Sequence, residues 1–190
     1  MEAIKTTIPG LVVFKLGVFR DNRGWFKENF NHTKVVSASR EVLDESDQGL
    51  KVLEEFSIVQ NNISYSSSEV IRGMHAEPWE KFISIASGKV YGAWVDLREG
   101  PSFGNVFQME LTPETAIFVP RGVANGFQAL EDTSYAYLVN DYWSLELKPQ
   151  YRFVNFNDPE LGINWPLDIN WNLVSEDDKN HPMLSDVKGI

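Results

Sequence analysis

Residues 81–97 read KFISIASGKVYGAWVDL, and this stretch decides the fold class. Two runs rich in isoleucine, valine, phenylalanine and tryptophan, 81–87 and 89–97, are separated by the pair Ser87-Gly88. β-Branched and aromatic residues favour strands, and a Ser-Gly pair readily adopts the backbone angles of a turn. The stretch therefore predicts two short strands.

The same pattern extends in both directions from this stretch. Further strands are expected at residues 56–65, 70–75, 105–112, 115–119 and 134–140, with turn residues between them. Residues 33–44 have partly helical spacing, and the chain after Tyr151 contains three X-Pro steps that suggest an irregular, wrapped segment. Short strands at this spacing are typical of an all-β sandwich or small barrel with few short helices.

Composition limits the classes of protein that fit. A chain of 190 residues with 43% hydrophobic content can bury one sizeable core, so we expect a single domain over residues 1–190. It shows no secretion signal and no long apolar run, which favours a soluble cytoplasmic protein. The absence of cysteine excludes disulfides and thiolate catalysis, and a net charge of −10 argues against binding nucleic acid or an anionic membrane.

The chain has only three histidines, so the search for a catalytic base is short. His75 lies in IRGMHAEPWEKF (71–82), close in sequence to Arg72, Glu77 and Lys81 and within the β-rich region. His32 and His181 lie among polar residues and proline, where a surface position is expected. On composition alone, His75 fits a buried structural histidine as well as a functional one.

A metal site is not expected. Metal-binding β-barrels of the cupin kind bring several histidines and carboxylates to one ion. Here His75 and Glu77 supply one ligand of each type, and Asn125 stands where a third ligand would be needed. An amide oxygen is a poor substitute for imidazole on a transition metal.

Other polar groups have two interpretations. Arg23, Arg72, Lys81 and Arg121 could pair with a diphosphate, or could simply form surface ion pairs. Tyrosines at 135, 137 and 142 could provide a proton donor or a stacking surface, or could belong to the core.

Seven segments, in order, resemble the dTDP-4-dehydrorhamnose 3,5-epimerase family and cover most of the chain. Six of them are FRDNRGWFKENF (19–30), VQNNISYSSSEVIRGMH (59–75), GKVYGAWVDLREGPSFG (88–104), PRGVANGFQAL (120–130), NDPELGINWP (157–166) and SEDDKNHP (175–182), and the seventh is the pair Tyr137 and Tyr142. A single motif such as R-G-x-H is weak, but seven in sequence are specific.

The resemblance implies a cupin-type jelly roll, a homodimer with exchanged strands, and no cofactor or metal. It also implies a dTDP-linked 4-keto-6-deoxyglucose substrate that is converted to its 4-keto-rhamnose isomer. His75 would be the base, Asp178 its partner, Tyr137 the acid and Lys81 the group that steadies the enolate oxygen. The substrate contacts implied by the resemblance are Arg23, Phe26, Glu28, Gln60, Asn61, Asn62, Arg72, Asn125 and Tyr142.

These residue types suit the chemistry. A proton beside a carbonyl can be removed when a fixed positive group stabilises the enolate, which Lys81 could do. Inversion removes hydrogen from one face and returns it to the other, so a base and a separate acid are expected. An aspartate on the far imidazole nitrogen would hold the tautomer of His75.

The chain departs from the family pattern at three positions. Asn125 stands where a histidine is usual, Gly92 replaces an aspartate, and Asp177 replaces a lysine that Lys179 could supply instead. Strict alternation would also place Arg72 and His75 on opposite faces of one strand. A bulge at Gly73 would bring both to the same face.

Three alternatives remain open at the level of sequence. A monofunctional relative would invert only one carbon of a related deoxysugar. A non-catalytic sugar-binding jelly roll would bind without exchanging protons, and a metal-dependent cupin would need a bound ion.

Overall fold

The computed structural model describes residues 1–190 and contains thirteen strands and three short α-helices. The strands are β1 (Glu2–Lys5), β2 (Val12–Lys15), β3 (Val18–Asp21), β4 (Gly24–Lys27), β5 (Gln60–Ser66), β6 (Ile71–Ala76), β7 (Lys81–Ser87), β8 (Val90–Asp96), β9 (Val106–Leu111), β10 (Thr115–Val119), β11 (Val123–Ala129), β12 (Thr133–Val139) and β13 (Arg152–Phe153). The helices are α1 (His32–Ser39), α2 (Gln48–Glu54) and α3 (Glu176–Lys179). No helix is long and apolar enough to cross a membrane.

The strands form two large antiparallel sheets and one hairpin. Six strands pair in the order β1-β2-β10-β7-β12-β5, and five pair in the order β13-β6-β11-β8-β9. Strands β3 and β4 pair only with each other. The prediction of an all-β fold with few helices is confirmed.

The core has three layers. The inner layer lies between the two sheets and includes Ile83 and Ile117 from the larger sheet and Trp94 from the smaller one. A second cluster packs Phe82 and its neighbours under α1 and α2, on the outer face of the larger sheet. A third packs the outer face of the smaller sheet under the irregular C-terminal segment, with Phe156 at its centre. Both faces of the central strands are therefore covered, which explains their continuous apolar sequences.

Several elements differ from the expected ones. The helix expected over residues 33–44 ends at Ser39, and its Asn31 cap accepts a hydrogen bond from the Lys34 amide. Helix α2 and the four N-terminal strands were not predicted. Strand β11, at the centre of the smaller sheet, was also missed because its Asn125-Gly126 pair has the composition of a turn.

The bulge expected at Gly73 is present. In the pairing of β6 with β11, His75 faces Asn125 and Arg72 faces Phe127, so three steps on β6 match two on β11. Gly73 has a φ of 123°, and a Cβ on it would lie 2.5 Å from the Cα of Gly126. The bulge therefore depends on glycine, and it turns Arg72 and His75 toward the same cavity.

Candidate active site

A cavity of about 1090 Å³ is lined by residues from both large sheets. Its walls come from β6, β7, β11 and β12, and the C-terminal segment closes one side. Six of the expected site residues line it: Arg72, His75, Lys81, Asn125, Tyr137 and Asp178. The structure therefore brings together six of the thirteen side chains that the sequence analysis assigned to a site.

His75 is held by the carboxylate of Asp178. The Nε2 atom of His75 lies 2.7 Å from Oδ1 of Asp178, and the amide of Gly73 donates to Oδ2 at 3.3 Å. Asp178 belongs to α3, and the hydroxyl of the N-cap residue Ser175 accepts a hydrogen bond from the Asp178 amide. Burial alone would raise the pKa of Asp178, but the hydrogen bonds from His181, His75 and Gly73 outweigh it and lower that pKa below its usual range. The carboxylate is therefore anionic.

His181 is a cavity residue that the sequence analysis placed at the surface. Its Nε2 atom lies 3.1 Å from the same Asp178 oxygen that contacts His75, and its side chain is only 9% exposed. The neighbouring Asn180 and Pro182 suggested a solvated turn. The one available signal was its spacing, three residues after Asp178.

Lys81 presents a buried ammonium to the cavity. Its Nζ donates to Oδ1 of Asn125 at 2.8 Å and forms an ion pair with Glu77, four residues earlier. Burial lowers the pKa of Lys81, while the charge and hydrogen bond of Glu77 act in the opposite direction. Asn125 thus serves as an acceptor for a cation, a role that does not require a titrating histidine.

Three tyrosines border the same space: Tyr135, Tyr137 and Tyr151. The Tyr137 ring centre lies 5.7 Å from the ammonium of Lys81, and Tyr137 faces Asn62 across the β5–β12 pairing. Burial, assisted by the charge of Glu77, raises the pKa of Tyr137 and holds its phenol protonated. Tyr151, which the sequence analysis did not single out, has its pKa raised to about 12, mainly by burial.

Arg72 lines the cavity next to the polar face of β5. Arg72 donates from Nε to the hydroxyl of Ser66 at 3.0 Å and faces the cavity. Gln60 and Asn62 lie on one face of β5, where Gln60 donates to Asn62 at 2.8 Å, whereas Asn61 is exposed on the opposite face. None of the three lines the cavity directly, although Ser64 of the same strand does.

Four other expected contacts lie away from the cavity of their own chain. Arg23 and Phe26 sit on the exposed β3–β4 hairpin, where Arg23 pairs with Asp21, and Glu28 follows the hairpin and pairs with Lys34. The base of the hairpin is fixed because the Lys27 ammonium donates to the carbonyl of Ile85 at 2.6 Å. Tyr142 is exposed beside the cavity residue Trp143.

The other departures from the family pattern have local explanations. A Cβ on Gly92 would lie 2.3 Å from the ring of Trp94, so this strand accommodates a buried tryptophan in place of a larger side chain at position 92. Asp177 lines the cavity, but Lys179 does not; its ammonium pairs with Glu176 at 2.6 Å. In this structure Lys179 is therefore not placed to supply the lysine that position 177 lacks.

Two groupings bear on metal binding. The first is the set of His75, Glu77 and Asn125, which was considered from the sequence. The oxygens of Glu77 and Asn125 both contact the Lys81 ammonium, which would compete with a metal ion for these oxygens. His75, Asp178 and His181 place potential ligand atoms within 4.8 Å of one another. Both imidazoles, however, point at one carboxylate oxygen, and an ion between them would have to replace two hydrogen bonds.

Comparisons with known proteins identify the family of this chain. The sequence profile described as dTDP-4-dehydrorhamnose 3,5-epimerase matches residues 5–186. A Streptococcus pyogenes protein named "Protein RmlC homolog" is 56% identical over 96% of this chain and 89% of its own. The Pseudomonas aeruginosa dTDP-4-dehydrorhamnose 3,5-epimerase is 32% identical over 98% and 97%.

A solved structure shares the fold as well. The RmlC of Streptococcus suis, solved in complex with dTDP-D-xylose, superposes with a TM-score of 0.84 and 51% identity, covering 100% of this chain and 94% of that one. The two-sheet architecture is accordingly the cupin-type jelly roll expected from the sequence. The chain belongs to the dTDP-4-dehydrorhamnose 3,5-epimerase family.

Proposed function

We propose that this chain converts dTDP-4-dehydro-6-deoxy-D-glucose to dTDP-4-dehydro-L-rhamnose by inverting carbons 3 and 5. One observation carries the proposal: a base backed by a carboxylate, a buried ammonium and a protonated phenol line one cavity. Membership of the epimerase family supports the same substrate.

His75 removes the proton next to the keto group. Its Nε2 is occupied by Asp178, so Nδ1 is the nitrogen free to accept a proton from the sugar. The positive charge that His75 gains is stabilised by the Asp178 anion. The same base serves both carbons as the sugar ring is presented first at one position and then at the other.

Lys81 stabilises the enolate that proton removal creates. An ammonium buried in the cavity wall interacts strongly with a developing oxyanion, because little water screens the charges. Burial lowers the pKa of Lys81, and Glu77 opposes that effect and so favours the charged ammonium, while Asn125 orients it.

Tyr137 returns a proton to the opposite face of the enolate. Its phenol retains its proton because burial and Glu77 raise its pKa. The Lys81 ammonium beside the ring then helps to stabilise the phenolate formed by the transfer.

The nucleotide diphosphate needs local positive charge, because the protein as a whole is acidic. Arg72 faces the cavity and can contribute. We infer that Arg23, Phe26 and Glu28 of the partner subunit complete this site in a homodimer, with Gln60, Asn61, Asn62 and Tyr142 at its rim. Phe19, Phe26, Ile63 and Tyr65 are large apolar side chains that are each more than 60% exposed in the single chain, which supports a partner on this side.

The proposal includes a cytoplasmic, metal-independent and cofactor-independent enzyme. Proton transfer and enolate stabilisation use only side chains of the cavity, so the reaction needs no redox group. Metal analysis of the purified protein, with assays before and after chelation, tests the metal-dependent alternative.

The decisive experiment is incubation with the 4-keto-6-deoxyglucose nucleotide in heavy water. Deuterium is read separately at carbons 3 and 5, and the product sugar is identified. Exchange at both carbons with formation of the rhamnose isomer supports the proposal. Exchange at one carbon would identify a monofunctional epimerase, and binding without any exchange would identify a sugar-binding module.

A further inference from the structure

The Asp178 carboxylate serves two imidazoles. Oδ1 lies 2.7 Å from Nε2 of His75 and 3.1 Å from Nε2 of His181, while Oδ2 accepts the amide of Gly73. A carboxylate oxygen has two lone pairs, so Oδ1 can accept one N–H from each ring. In this arrangement both histidines are donors to one anion.

The ring of His181 has a fixed orientation. It stacks on Phe153 with a centroid distance of 4.5 Å and an interplanar angle of 19°, and it meets the His75 ring edge-on at 5.4 Å. Its backbone carbonyl accepts a hydrogen bond from the Asn155 side chain at 3.2 Å. The hydrogen bond to Asp178 is thus made by a ring held on several sides.

Two physical consequences follow from the shared oxygen. A second donor restricts rotation of the Asp178 carboxylate and, through it, the orientation of His75. It also draws on the same lone-pair density, so the carboxylate binds the His75 proton less strongly than it would alone. This matters because an unopposed carboxylate favours the charged imidazolium, which cannot accept a proton.

We propose that His181 is a positioning residue for proton abstraction, which acts by sharing the Asp178 carboxylate with His75. The inference rests on the proposed epimerase function. His181 contacts the Asp178 carboxylate and would not touch the sugar. The proposed base that takes the proton from the sugar is His75.

The groups that face this trio define its electrostatic surroundings. The charged or titratable side chains that line the same cavity are Arg72, Glu77, Lys81, Tyr135, Tyr137, Lys148, Tyr151 and Asp177. Because these groups are coupled by hydrogen bonds and charge, the pH profile of a His181 variant reports on the whole cavity and not on one side chain.

Two substitutions distinguish the effect of the His181 N–H donor from the effect of its aromatic ring. His181→Phe retains a ring that can stack on Phe153 but removes the N–H, whereas His181→Gln retains an amide N–H at a similar reach. His32→Phe is the matched control, because His32 contacts the Leu53 carbonyl outside the cavity. For each variant we would measure kcat, KM, deuterium exchange at carbons 3 and 5, dTDP affinity, melting temperature and the pH profile of kcat/KM.

We expect H181F to lower kcat about tenfold with KM and dTDP affinity unchanged, because only the alignment of the base is altered. The low-pH limb of the kcat/KM profile of H181F should move to higher pH. H181Q should keep kcat within about threefold of the wild-type value, and the low-pH limb of its kcat/KM profile should match that of the wild type, since one N–H donor is restored. H32F should match the wild type.

Three results would overturn the inference. Wild-type kcat and pH profile in a folded H181F protein would show that the shared oxygen has no effect. Equal losses in H181F and H181Q would assign His181 a purely structural part. If H181F melts below the assay temperature, H181N takes its place, because its shorter amide cannot reach Asp178. If H181N then behaves like H181Q, this third result would also contradict the inference. No exchange by the wild-type protein would instead refute the epimerase function.

Discussion

The ammonium of Lys81 lies 5.7 Å from the centre of the Tyr137 ring, and both groups face the cavity that also contains His75. The group assigned to the enolate oxygen and the group assigned to its reprotonation therefore stand side by side. Because they belong to neighbouring strands β7 and β12, their spacing is fixed by the sheet. The roles can be separated by substitution at each position.

Tyr137→Phe should uncouple proton removal from inversion. His75 and Lys81 would still form the enolate, so deuterium should enter at the first carbon, but the proton would return to its original face. We expect epimerised product to fall sharply while exchange persists, both measured on one sample by NMR. If Tyr137 is only a packing residue, losing its hydroxyl costs about 1 kcal/mol of stability and leaves the product ratio unchanged.

His75→Asn should abolish exchange at both carbons, since general-base catalysis typically contributes ~10²–10⁴-fold. Calorimetric titration with dTDP should show nearly normal affinity, because His75 is assigned to the sugar and not to the nucleotide. Near-normal turnover in a folded variant would assign the base elsewhere.

Asp178→Asn should lower kcat by ~10²-fold or more, because the amide cannot support the His75 cation and favours a different tautomer. The amide still fits the space and can accept the Gly73 amide hydrogen bond. Circular dichroism and dTDP binding should therefore resemble those of the wild type, and an unchanged kcat would remove Asp178 from the mechanism.

The same carboxylate should make stability depend on pH. The folded-state pKa of Asp178 is lowered, so its contribution is complete above the unfolded value of about 3.9 and is lost as pH falls through the lower folded value. Denaturant titrations from pH 5 downward should show a steeper loss of unfolding free energy in the wild type than in Asp178→Asn. Parallel curves would contradict this assignment.

Arg23→Ala and His75→Asn should complement each other if the hairpin serves the partner's cavity. His75→Asn alone should be inactive and Arg23→Ala alone weakly active, but a mixed dimer has one site with both native residues. Random pairing in equal amounts would restore about a quarter of the wild-type activity, measured after co-expression. If Arg23 serves its own chain, mixing would give no recovery.

Much of the fold follows from local sequence. Strands such as β7 and β8 are apolar on both faces, and no other element fits their length and β-branched content. Strand β11 could not be recognised in this way. Its Gly126 lies against Gly73 of β6, and that close approach depends on two segments more than fifty residues apart.

For the site, too, the residues in local motifs could be predicted, and those that depend on the folded chain could not. His75, Lys81 and Tyr137 could be predicted because they belong to motifs, and the Gly73 bulge was predicted from the conflict between alternation and a shared face. His181 was missed because its burial arises from Phe153 and Asp178, which only the folded tail brings together. Arg23 and Phe26 were predicted from a motif, but in the single chain neither of them lines the cavity.

The exposed edge of the larger sheet also has a consequence for handling the protein. Strand β5 is an edge strand whose outward face carries Ile63 and Tyr65, and unpaired backbone groups on such an edge can recruit another strand. If a partner covers this edge in the dimer, dilution exposes it. Hydrogen exchange of the β5 amides should then become faster on dilution and slower again when dTDP is added, if the nucleotide binds across both subunits.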